Sequence, residues 1–156
     1  MNKIYNKQNN ALLISMGVSF FVDRITKYIV LKTLGEKVFY FGFIELMIVK
    51  NTGAAFGILE ENTIALGVLG ILVLVFFFYL VCVGSFKNLF SKISTGVLLG
   101  GIMGNTWDRI FFRFVIDFMH FPFFPLSVFQ VFNIADICIT FGAVGLVIDS
   151  LRGKKL

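Results

Sequence analysis

An all-α membrane fold, a bundle of four transmembrane helices with a small β-structured segment on its outer face, is what this sequence predicts, and three observations predict it. Of the 156 residues, 58% are hydrophobic, 21 are phenylalanine and only two are proline; the mean hydropathy is +0.90. A soluble domain of ordinary composition is far less apolar. Four windows at roughly 11–31, 63–83, 93–112 and 133–151 have the ~20 mostly apolar residues needed to cross a bilayer. Short, purely basic segments at 1–10, 84–92 and 152–156 flank these windows, as the cytoplasmic ends of spanning helices do.

In the first window the run "ALLISMGVSFFV" is too short to cross, so the helix must continue through "DRITKYIV". Asp23 and Lys27 then lie at or near membrane depth. Four residues apart, they share a face in the acid-before-base order that suits an ion pair. A structural pairing is expected, with Lys27 snorkelling to the headgroups, because Asp23 falls only about 18 Å along the crossing. The following connection, about 33–60, has a Gly-Glu turn signal and aromatic and β-branched residues broken at Gly42. That composition predicts short strands at the interface.

The second window is free of charge. The third contains "GVLLGGIMGNTWDR", where Gly96, Gly100 and Gly104 recur every four residues, a spacing that lets another helix approach closely. Asn105, Asp108 and Arg109 follow, with Asn105 and Arg109 on one face. The next connection holds "HFPFFPLSVFQVF", in which Pro122 and Pro125 stop a helix and the phenylalanines suit an interface. The last window opens on Asn133 and Asp136.

These elements predict a single membrane domain over 1–156, with both termini cytoplasmic. Eight of the nine acids then fall towards the outer face, and only Asp149 lies near the inner one. The net charge of +5 does not indicate nucleic acid, since Lys and Arg are scattered and form no patch. Cys82 and Cys138 lie inside predicted spans with no ligand spacing, so no disulfide, metal or cofactor is expected. His120 reads as a lone interfacial imidazole and Ser127 has no histidine partner, which leaves a serine mechanism without support.

Asp117 and Asp136 are the chemically pointed residues. Ionised carboxylates in apolar surroundings must be paired, hydrated or protonated, and intramembrane acids are functional candidates. Asp136 by itself could be only a helix-starting acid beside a capping Asn133. That account leaves Asp117, within "FVIDFMHF", unexplained. Two neighbouring carboxylates share a proton, one acting as base and one as acid, which suits peptide hydrolysis. A proton relay in a small transporter or assembly subunit would use the same residue types.

The segments "DRITK" (Asp23 to Lys27), "NTGAAFG" (Asn51 to Gly57), "GNTWDR" (Gly104 to Arg109), "VIDF" (Val115 to Phe118) and "FNIAD" (Phe132 to Asp136), in this order on four spans, resemble the lipoprotein signal peptidases, or signal peptidase II. The resemblance implies a bacterial inner-membrane aspartic endopeptidase. It cuts the signal peptide from prolipoproteins immediately before a diacylglyceryl-modified cysteine. It implies Asp117 and Asp136 as the catalytic pair, with Asn51, Asn105, Arg109 and Asn133 lining the site. Asp23, Lys27 and Asp108 would brace the fold. Four transmembrane helices, a β-structured cradle and a loop over the outer-face site are also implied, in a monomer surrounded by membrane lipids.

Overall fold

The computed structural model describes residues 2–53, 62–123 and 131–153, with side chains from residue 10 onward. Its helices are α1 (Asn2–Thr33), α2 (Thr63–Cys82), α3 (Leu89–Phe111) and α4 (Ile134–Gly153), each containing most or all of one predicted window. Within α1 the Thr26 and Thr33 hydroxyls donate to the carbonyls of Val22 and Ile29, both at 2.8 Å, so neither polar group is stranded among apolar neighbours. Helix α3 starts at Asn88, whose side chain accepts the Ser91 N–H at 2.8 Å.

Three strands form one antiparallel sheet in the order β1 (Phe39–Phe41), β2 (Ile44–Asn51), β3 (Val115–His120). A two-residue loop joins β1 to β2, and Gly42 takes φ +61 there, the left-handed conformation that such a reversal demands. The first two strands fall inside the segment predicted to be β-rich. The third was not anticipated: "VIDFMH" pairs with β2 because the chain reverses at Arg113 (φ 67) directly after α3. Register slips between Leu46 and Val49, after which Val49 faces Asp117 and Asn51 faces Val115. Asn51 and Asp117 thereby become diagonal neighbours on one face of the sheet.

Helix α3 is the hub, packed against α1, α2 and α4. The glycine stripe faces α1: a Cβ on Gly100 would lie 2.5 Å from the Met16 carbonyl oxygen, so close backbone approach requires its absence. On the α4 side, Gly142 meets Leu98 in the same way. Where α1 ends, Val30 and Leu34 pack on Phe118 of β3, with Leu46, Ile48, Met119 and Ile134 around them. This cluster fastens the sheet to the helices.

Large apolar side chains such as Phe21, Ile25, Leu72, Val75, Phe76 and Phe141 face outwards, while Asp23, Lys27, Asp108 and Asp117 are inside. This distribution is the inverse of a water-soluble domain. Among the described residues, α2 and α4 are long and apolar enough to cross a membrane. Asp23, Arg24 and Lys27 of α1 gather with Asp108 of α3 where those helices meet, which lowers the mean apolarity of both.

Candidate active site

The site is assembled at the start of α4. Asn133 is the last residue before the helix, and its side-chain oxygen accepts the Asp136 N–H at 3.0 Å. In return the Asp136 carboxylate accepts the Asn133 N–H at 3.0 Å. This is a reciprocal capping arrangement of the Ser/Thr-x-x-Glu type, made here with Asn and Asp. The helix-starting role and a chemical role for Asp136 are therefore not alternatives: the cap fixes one carboxylate oxygen and leaves the other to face the protein. That second oxygen accepts Asn105 Nδ2 at 2.7 Å.

Asp117 comes from β3, which carries it into the interior at 2% exposure. Asn133 Nδ2 donates to its Oδ1 at 2.6 Å, and Asn51 Nδ2 donates to its Oδ2 at 2.9 Å. The Asn51 amide is itself pinned, because its oxygen accepts the Gly53 N–H at 2.9 Å. Burial pushes the Asp117 carboxyl up from the usual range to about 6, with the nearby charge of Asp136 adding to the rise. Hydrogen bonds from Asn51 and Asn133 and the charge of Lys27 oppose it. Asn133 thus touches both carboxylates, Asp117 through its side-chain nitrogen and Asp136 through its backbone N–H.

Behind this pair lies a buried charge cluster. Lys27 Nζ lies 3.0 Å from Asp23, 2.8 Å from Asp108 and 3.0 Å from Asn105 Oδ1. The expectation that Lys27 snorkels is corrected: it is 1% exposed, because two carboxylates and an amide oxygen converge to replace the headgroups and water. Arg24 completes the cluster, with Nη2 3.0 Å from Asp23. Its Nη1 lies 2.6 Å from Asp108 Oδ1, close enough for charge pairing but not aligned as a hydrogen bond. Two acids and two bases balance in a region where an unpaired charge is expensive.

Asp23 Oδ1 also accepts the Ala135 N–H at 3.1 Å, which ties the cluster to the first turn of α4. Asp108 Oδ2 accepts the Ile116 N–H at 3.4 Å, a long bond to β3. Arg109 Nη2 donates to the Gly53 carbonyl at 3.1 Å and Nη1 to the Asn105 carbonyl at 3.4 Å. Its buried Nε has no partner among the described residues.

The structure brings all nine sequence-derived residues into one connected set. Arg24 was missed, although three charges within "DRITK" already outnumbered the one i,i+4 pair offered for them. His120 is not a lone imidazole: pairing of β3 with β2 buries it opposite Glu45, with Nδ1 3.0 Å from Oε2. Residues 54–57 of "NTGAAFG", Ser127 and most of the Phe-rich connection lie outside the described residues.

Chemically, two carboxylates held by one residue, Asn133, through its side-chain and backbone N–H groups, with one of them holding its proton to about pH 6, can divide acid and base duties. The chain is also similar in sequence and fold to known proteins. The sequence profile of the family described as "Signal peptidase (SPase) II" matches residues 15–152. A lipoprotein signal peptidase of Nostoc punctiforme is 37% identical, over 93% of this chain and 92% of its own length. Another from Clostridium novyi is 33% identical, over 92% of this chain and 98% of its own. A solved bacterial membrane enzyme, determined by the in meso method, superimposes with a TM-score of 0.84 at 28% identity, covering 94% of this chain and 90% of that one.

Proposed function

This chain belongs to the signal peptidase II family, and we propose that it is an aspartic endopeptidase that removes the signal peptide from prolipoproteins immediately before the diacylglyceryl-modified cysteine. Its catalytic residues are Asp117 and Asp136. The observation that carries the reading is the joint support of both carboxylates by Asn133.

Below about pH 6 the dyad holds one proton on Asp117, the more deeply buried carboxyl. Asp136, at the N-terminus of α4 with an N–H and an amide donor on its oxygens, is the charged member. Asp136 takes a proton from water as the water oxygen attacks the scissile carbonyl. Asp117 gives its proton to the leaving nitrogen as the C–N bond breaks. The products are a signal peptide with a new carboxylate and a lipoprotein with a free amine on its lipid-bearing cysteine. Asn51, Asn105, Arg109 and Asn133 line the site and hold carboxylate or substrate oxygens that water does not reach; the spare Arg109 donor suits a substrate carbonyl.

The chain acts as a single domain over 1–156, a monomer whose α1 to α4 all cross the bacterial inner membrane with both termini cytoplasmic. The three-stranded sheet cradles the site at the outer face, and surrounding lipid contacts the apolar exterior. The short basic segments and the eight acids gathered at one end support this orientation.

The test is cleavage of a diacylglyceryl prolipoprotein by the purified protein in detergent. Asp117→Asn and Asp136→Asn should each abolish cleavage while remaining folded. Asp149→Asn, at the other end of the bundle, should retain it. Wild-type activity in either dyad variant sinks the reading, as does proton transport across vesicles without cleavage.

A further inference from the structure

Each of the three amides around the dyad must point one way round for its nitrogen to reach a carboxylate. Asn51 is oriented by the Gly53 N–H and Asn133 by the Asp136 N–H, both backbone donors. Asn105 is oriented by Lys27 Nζ and Asn133 Nδ2, which both approach its Oδ1, at 3.0 and 3.1 Å. An ammonium group has only donors, so the atom facing Lys27 has to be the oxygen. Nδ2 is then left for Asp136 Oδ1. A flipped amide would set donor against donor at Lys27 and acceptor against acceptor at Asp136.

We propose that Lys27 is a positioning residue for the reaction: through the Asn105 amide it holds Asp136 as the charged, water-activating carboxylate, beyond any bracing of the fold. Asp23 and Asp108 in turn aim Lys27, since each holds Nζ within 3.0 Å. The charged groups around it are Asp23 and Arg24 on α1, Asp108 and Arg109 on α3, Asp117 on β3 and Asp136 on α4. Its cation also lowers the affinity of Asp117 for its proton. One lysine thus acts on the dyad in two ways, through the Asn105 amide at Asp136 and through its field.

The experiment is a double-mutant cycle on purified protein in detergent with a diacylglyceryl prolipoprotein, using Lys27→Met and Asn105→Ala. Lys27→Met alone should lower kcat by about 10- to 100-fold. In the Asn105→Ala background the same substitution should cost less than about threefold, because the amide route is already cut and only the field remains. The alkaline limb of the Lys27→Met pH profile should move upwards, since Asp117 loses a neighbouring cation. Losses that multiply, or an unmoved pH limb, overturn the proposal and leave Lys27 a structural residue.

If Lys27→Met alone does not fold, Lys27→Met with Asp23→Asn removes the pin while keeping the cluster neutral, and the cycle is run on that pair. Because the proposal rests on the dyad reading, Asp117→Asn and Asp136→Asn are measured alongside. Activity surviving in those variants removes both claims. Multiplying losses with an inactive dyad remove only this one.

Discussion

Substitution of Asn133 separates helix capping from chemistry. Its Oδ1 accepts the Asp136 N–H, and its Nδ2 donates to Asp117 at 2.6 Å. Asn133→Ser keeps a capping acceptor and loses the donor; Asn133→Ala loses both. A cap of this kind is worth about 1 kcal/mol, so the Ser variant should be more stable than the Ala variant by about that amount. A hydrogen bond to a charged group is worth about 1.5–3 kcal/mol. Expressed in the transition state, that is a loss of about 10- to 150-fold in kcat/KM for both variants. The assay pairs cleavage of a lipid-modified prolipoprotein in detergent with thermal unfolding of the same preparations. Wild-type kcat/KM in Asn133→Ser would refute the amide's role at the dyad, and equal stability of the two variants would refute the cap.

On the proposed dyad, the Asp117 carboxyl, raised to about 6, should set the pH dependence of the free enzyme. Activity that needs its proton should fall as pH rises through about 6 in kcat/KM, and a profile flat from pH 5 to 8 would contradict this. The folded value lies above the unfolded one, so the folded state binds this proton more tightly. The resulting destabilisation is full above about pH 6 and relieved as pH falls towards 4, and Asp117→Asn should abolish that dependence of the unfolding temperature. Gly104→Ala places a Cβ 2.5 Å from Asp23 Oδ2, which must shift off Arg24. A loss of about 1–3 kcal/mol in stability is expected; Gly17→Ala, with nothing within 4 Å, is the control. Equal unfolding temperatures for the two alanine variants would refute the close contact.

Much of the fold was legible because lipid imposes a simple rule: about 20 apolar residues make a candidate span, and four windows satisfied it. Helices α1, α3 and α4 extend beyond their windows, most of all α1, since polar ends outside an apolar core carry no hydropathy signal. The β1–β2 hairpin was legible from its aromatic residues and Gly42. Strand β3 was not, because "VIDFMH" is only six residues long and its strand character depends on a partner far along the chain. The ordered motifs carried the family, and the apolar surroundings of Asp117 and Asp136 singled them out as candidates. Sequence could not say what lies beside them. The 2.6 Å bond from Asn133 to Asp117, the burial of Lys27 and the recruitment of Arg24 depend on three helices and a strand converging. A buried charge is settled by whichever partners packing supplies, and only the tertiary structure determines which those are.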